Sequence, residues 1–148
     1  MKISSKGRCA LALAVVLARH YQGGKYVTAL EISDELGLSK NYMEQVFSFL
    51  KRAGIVASIK GAQGGYRLSG DPGQLTALDV LSAAESSLFE ETEDTVRGKA
   101  PDVEAALYSL VYRPMDAVMK DTLAAITLGM LADETERNRK DSTLMYYI

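Results

Sequence analysis

Between Ser39 and Arg52 the sequence SKNYMEQVFSFLKR mixes two kinds of side chain at helical spacing. At about 100° per residue, Met43, Val46, Phe47 and Leu50 fall on one side and Asn41, Gln45, Ser48 and Arg52 on the other. Lys40 and Glu44 border the polar side on one edge, and Tyr42 and Phe49 border it on the other. These are side chains that read base edges: Asn and Gln each pair with adenine, Glu accepts from the cytosine amino group, and Arg or Lys meets guanine or phosphate. Where such a helix enters a major groove its N-terminal turns reach the bases. Ser39, Lys40, Asn41, Tyr42, Glu44 and Gln45 are therefore the candidate contacts, and Arg52 is assigned to structure or to the DNA backbone. A second group, Lys60, Gln63, Gly64 and Arg67, surrounds a glycine-rich stretch. Cations beside a loop with few side chains suit close approach to phosphates or to a minor groove. Near the start of the chain Ser5, Lys6 and Arg8, with Lys2, are placed to reach the backbone at a helix N-terminus. Thr28, which opens the preceding helix, completes the DNA-contacting set.

Other chemistries are poorly supplied. The single histidine, His20, and the single cysteine, Cys9, lie eleven residues apart on one expected helix. They do not assemble a nucleophile, a base and an orienting group, so no enzyme is expected. One thiol cannot build a cysteine-based zinc or iron-sulfur site, and neither a metal nor another cofactor is expected. Cys9 reads as a small core residue; a redox-sensing thiol would have to be exposed with a lowered pKa. Gly64-Gly65 lacks both the Gly-x-Gly-x-x-Gly spacing and a following helix that a dinucleotide site needs.

The elements that must hold these residues follow from caps and breakers. A first helix begins at Ser4 or Ser5 and runs to about Tyr21, before Gly23-Gly24. Thr28-Ala29-Leu30-Glu31 has capping-box spacing and starts a short helix to Leu36. Gly37 turns the chain and Ser39 caps the helix that ends near Ala53, the arrangement of a helix-turn-helix. Ile55–Lys60 and Tyr66–Leu68 predict a hairpin, and Leu75–Ala84 a fourth helix. Residues 85–101 are acidic, broken by Gly98 and Pro101, and read as an exposed linker. A modest helix is expected over Val103–Tyr112. A long one of about 23 residues should start at Pro114 and span on the order of 35 Å. Met115, Val118, Met119, Leu123, Ile126 and Met130 recur along it at three- and four-residue intervals, an apolar stripe that needs a partner helix. The Leu144–Ile148 tail has no assigned role. The reading is mostly α with a small β-hairpin: a winged helix-turn-helix domain over 1–84, a linker over 85–101, and a dimerisation helix region and tail over 102–148.

Charge divides the chain the same way. Residues 1–70 carry ten Lys/Arg against four Asp/Glu, and residues 71–148 carry seven against fifteen, although the net charge is only −2. A polyanion-binding part joined to a part that avoids polyanions fits this asymmetry. The longest apolar run, Cys9–Ala18, is ten residues and too short to span a bilayer. With no cleavage-site pattern after it, a cytoplasmic protein without membrane attachment is expected.

The order of these residues resembles the Rrf2 family of winged helix-turn-helix transcription regulators. The matching stretches are Ser5-Lys6-Gly7-Arg8, Leu38–Leu50, Gly54-Ile55-Val56, Lys60–Tyr66 and Ile126-Thr127-Leu128. The first 85 residues match closely and the C-terminal helix more loosely. The resemblance implies a homodimer held by the long helix and reading a pseudo-palindromic DNA operator through two recognition helices and two wings. Family members that bear an iron-sulfur cluster carry three cysteines between the fourth helix and the long helix. Residues 85–113 here contain none, so the chain is expected to be a cluster-free, bacterial member. Its signal would come from a small molecule, a protein partner or a thiol, acting on a repressor or an activator. The alternative is a winged-helix protein-interaction module without DNA binding, for which the basic first half would have no use.

Overall fold

The computed structural model describes residues 2–147; the side chains of Tyr146 and Tyr147 and the terminal Met1 and Ile148 lie outside what is described. Helix α1 (Ser5–Arg19) starts where the Ser4 hydroxyl accepts the Gly7 N–H, and it buries Cys9, Ala10, Leu13, Ala14 and Leu17. Helix α2 (Ala29–Leu36) opens with a complete capping box. Thr28 N–H donates to Glu31 Oε2 at 2.9 Å and Glu31 N–H to Thr28 Oγ1 at 3.1 Å. Gly37 ends α2 in the left-handed region (φ 68°), a conformation costly for any residue with a Cβ. Ser39 then caps α3 (Lys40–Arg52) by accepting the Tyr42 N–H.

The wing is a two-stranded antiparallel hairpin, β1 (Val56–Ile59) on β2 (Gly65–Leu68), with Val56 opposite Leu68 and Ile59 opposite Gly65. Helix α4 (Ala77–Ala84) follows, with a second capping box between Thr76 and Asp79. The core lies among α1, α3, α4 and the base of the wing, around Leu13, Leu17, Ile32, Met43, Phe47, Leu50, Leu68 and Val80.

Beyond α4 the boundaries differ from the sequence expectation. After a short 3-10 turn (Ser86–Phe89) and an irregular acidic segment, helix α5 (Pro101–Leu107) passes through a π-helical turn (Tyr108–Tyr112) into α6 (Arg113–Ala124). Pro114 does not begin a helix; it sits inside a continuous helical path. Proline has no N–H to donate, and in regular α geometry its ring would press on the carbonyl four residues back. The π register just before it, in which the Arg113 N–H reaches the Tyr108 carbonyl, widens the turn and accommodates the ring.

The expected stripe is then cut at Ala125. Thr127 makes an isolated antiparallel bridge with Thr76: the Ala77 N–H donates to the Ile126 carbonyl and the Leu128 N–H to the Leu75 carbonyl, both at 2.8 Å. Thr127 caps a new helix, α7 (Leu128–Tyr147), the long C-terminal helix of the fold. Its first turns complete the core through Leu128 and Ala132, so part of the 102–148 region packs on α1 within the same chain. An ionic cluster extends that contact: Arg19 meets both Glu35 and Glu136, and Arg139 donates to Glu35 at 2.8 Å, joining α1, α2 and α7. Residues 144–147 of the tail form the last turn of α7, with Leu144 and Met145 exposed; Ile148 lies outside the described residues. Among the described residues no helix is long and apolar enough to cross a membrane.

Candidate nucleic-acid interface

Helix α3 buries Met43, Val46, Phe47 and Leu50 completely and turns Lys40, Asn41, Glu44, Gln45, Ser48, Lys51 and Arg52 outward. That division places the predicted base-reading side chains on one continuous exposed face. Ser39 is at the N-terminal end, its hydroxyl already accepting the Tyr42 N–H. Tyr42 is half-buried, and its phenol lies 3.4 Å from the Ser5 hydroxyl, so the start of α1 runs beside the first turn of α3.

The wing stands against the other edge of α3. Tyr66 on β2 stacks on Phe47 with ring centroids 3.9 Å apart and planes within 9°. Its backbone exchanges two hydrogen bonds of 2.8 Å with Val27, the residue before the α2 cap. One residue thus fixes the wing to both helices of the helix-turn-helix. Burial, and secondarily the negative charge of Glu44, pushes the Tyr66 phenol up from its ordinary value.

Between wing, α2 and α3 lies an open cleft of about 600 Å³, lined by Thr28, Lys40, Glu44, Lys51, Lys60 and Gly64 among others. Gly64 has no room for a side chain: a Cβ there would come within 2.3 Å of the Ile59 carbonyl oxygen. Lys60 and Gln63 are exposed at the tip. Arg67 is not. Its guanidinium donates to the Gly24 carbonyl at 3.0 Å and lies over the Tyr26 ring at 4.7 Å, which makes it a strut at the root of the wing rather than a free cation at its tip.

The structure therefore gathers Thr28, Ser39, Lys40, Asn41, Tyr42, Glu44, Gln45, Lys60, Gln63 and Gly64 on one side of the molecule, with Ser5 and Lys6 at its edge. Arg8 is exposed, and its guanidinium donates to the Ile3 carbonyl at 2.8 Å. Lys51 and Tyr66 were not selected from the sequence. Lys51 shares the α3 edge of Lys40 and Glu44 at helical spacing, so a wheel carried through the last turn finds it. Nothing in the local pattern announces the stack of Tyr66 on Phe47. Cys9 is 7% exposed and burial raises its thiol pKa, the reverse of what a redox-sensing thiol requires; it is a core residue.

Helix α5–α6 presents a different surface. Met115 and Val118 are more than 60% exposed. With Met119, Leu123, Pro114, Ile3 and Leu88 they line an apolar groove of about 540 Å³. Ile126 is half-buried at the strand-like crossing, and Met130 is exposed on α7, so neither continues the α6 stripe.

Comparison with known proteins matches residues 3–134 to the family described as "Rrf2: Iron-dependent Transcriptional regulator". The chain is 35% identical over 136 residues to the HTH-type transcriptional regulator IscR of Vibrio campbellii, covering 92% of this chain and 80% of that one. Among solved structures it is similar to CymR, the global cysteine regulator of B. subtilis, with a TM-score of 0.73, 32% identity, and coverage of 90% of this chain and 98% of that one. It is also similar to T. potens IscR, with a TM-score of 0.71, 28% identity, and coverage of 93% and 90%. The iron in the family description finds no matching donor set here. Cys9 is the only thiol in the sequence and is buried, and among the described residues no group of three or more His, Cys, Asp or Glu side chains converges.

Proposed function

Since this chain belongs to the Rrf2 family of DNA-binding transcriptional regulators, we propose that it works as a homodimer that reads a two-fold-related operator and carries no iron-sulfur cluster. The observation that carries the reading is the continuous outward face of α3, bracketed by a basic wing, in the same chain as an apolar helix face with no cover. Asn41, Glu44 and Gln45 supply the base-edge donors and acceptors, with Ser39 and Lys40 at the entering end. Lys60, Gln63 and Gly64 bring the wing tip to the phosphates or the adjacent minor groove, and Thr28 lies at the α2 N-terminus facing the same cleft. Arg67 acts by holding the wing at its root.

The second copy covers the α5–α6 groove through Met115, Val118, Met119 and Leu123. An exposed apolar strip of this kind is what an isologous contact between two copies of one helix buries. Dimerisation would place two recognition helices on successive major-groove faces, which is why the operator is expected to be a pseudo-palindrome. The lack of a cysteine ligand set supports a signal other than a bound cluster, delivered by a small molecule or a protein partner in the cytoplasm. Selection of duplexes from a random pool by the full-length chain tests the reading. Enrichment of a two-fold-related sequence bound by two chains is expected, and recovery of no preferred sequence overturns it.

A further inference from the structure

The outward face of α3 is bracketed on both edges, and only one bracket is the wing. Lys40, Glu44 and Lys51 mark the wing edge, where they line the cleft with Lys60. Tyr42 and Phe49 mark the opposite edge, and Asn41, Gln45 and Ser48 lie between. Along that opposite edge runs the first turn of α1. Ser5 meets Tyr42 there, and Lys6 places its ammonium 4.3 Å from the centre of the Phe49 ring. Arg52, one turn beyond Ser48, brings its guanidinium to 5.5 Å from the centre of the same ring. Two cations lie against one aromatic ring, and among the described residues neither has an ion-pair partner within 4.0 Å. Two like charges bordering one hollow favour an anion between them.

A hollow of about 640 Å³ opens beside them, lined also by Ser4, Glu85, Ser86 and Ser87. Glu85 accepts the Ser4 N–H with both carboxylate oxygens at 3.2 Å, which pins the start of α1 beside α3. The approach is close enough that a Cβ on residue 7 would come within 2.5 Å of Glu85 Oε2, so Gly7 is what admits it. The hollow is left with two cations against one carboxylate.

A major groove is bounded by two phosphate strands, about 12 Å apart. A recognition helix lying in it therefore needs a cation shelf on each edge to hold both rims. We propose that Lys6 and Arg52, seated together on Phe49, form a phosphate-binding shelf for the DNA strand on the rim opposite the wing. This assignment rests on the DNA-reading function proposed above. The ligand is the phosphodiester backbone, so the shelf adds affinity and fixes register without reading sequence.

Affinity of the full-length chain for the selected duplex, measured across a potassium chloride series, tests this together with phosphate-ethylation interference on each strand. Lys6→Gln and Arg52→Gln should each reduce the slope of log affinity against log salt by about 1, leaving the preferred sequence unchanged. Ethylation sensitivity should disappear from one rim in these variants and from the other rim in Lys60→Gln. Lys6→Arg, which keeps the charge on the ring, should retain the wild-type slope. Unchanged slopes and unchanged interference in both glutamine variants would overturn the shelf while leaving the recognition helix intact. A wild-type chain that binds duplexes without preference overturns the operator reading, yet the slopes and the two rims still decide the shelf. A wild-type chain that binds no duplex overturns both.

Discussion

The two ends of the molecule expose different kinds of surface. The α3 face and wing expose side chains that are finished as folded structure: caps are closed, Tyr66 is stacked on Phe47, and the exposed groups of α3 are polar or charged. The α5–α6 helix is unfinished, with Leu110 80% exposed and Met115 66% exposed on a helix that buries none of its apolar residues fully. A finished polar surface asks for a ligand with which it exchanges solvent and counterions; an unfinished apolar surface asks for a protein. The two surfaces are joined in function, because two recognition faces become one reading unit only when the apolar helix is covered by a second copy.

The join is where the largest effect is expected. Val118→Glu puts a charge into the uncovered stripe, so the chain should become a monomer by light scattering. Operator affinity should then fall by about a hundredfold or more, the avidity lost when two linked sites act singly. A monomeric variant that still binds a full operator as wild type does would separate the two surfaces. At the reading end, Gln45→Ala should weaken the preferred duplex by about tenfold or more and flatten the preference at one base pair of each half-site, with dimerisation unchanged. Loss of affinity for all sequences alike would move Gln45 from reading to positioning.

A smaller effect is expected at the foot of the apolar helix. Glu104 is the one charged side chain fully buried among the described residues, and its Oε2 accepts the N–H groups of Thr95 and Val96 at 3.2 and 3.0 Å. Glu104→Ala leaves those donors without a partner, so stability in urea should drop by about 1–3 kcal/mol, and amides 90–100 should exchange faster with solvent. The smallest effect belongs to the capping box of α2. The Thr28 backbone hydrogen bond, aided by the Thr28 hydroxyl, Lys25 and His20, holds the Glu31 carboxyl below its ordinary value of 4.5. A carboxyl lowered in the folded state adds stability that is complete above its unfolded pKa and is lost as pH falls through the folded one. Thermal scans should therefore show a slight loss of stability below about pH 4.5 that Glu31→Gln removes.

The helix-turn-helix was legible because its signals are local. Thr28 with Glu31, Gly37 and Ser39 each state a helix end through their own side chain or lack of one, and the structure places the ends of α2 and α3 there. The C-terminal region was less legible because its signals are tertiary. Leu123, Ile126 and Met130 keep helical spacing, but backbone pairing of 126–128 with 75–77 takes Ile126 out of the helix and leaves Leu123 at the end of α6 and Met130 at the start of α7. Thr127 was the one local hint, since threonine caps a new helix well and suits a helix interior poorly. Pro114 signalled a helix start because proline usually marks one, and only the π turn before it lets the helix pass through. At the interface, the wheel recovered the α3 face, whereas the engagement of Arg67 with Gly24 and Tyr26 depends on a loop 43 residues earlier in the chain.

The central claim is that the apolar helix and the recognition face act as one device on DNA. Titration of the full-length chain against a complete selected operator, a single half-site and a scrambled duplex, with mass determined for each complex, tests it most directly. The account predicts two chains on the complete operator, bound at least about a hundredfold tighter than the half-site and tighter still than the scrambled duplex. A single bound chain, or equal affinity for all three duplexes, would contradict it.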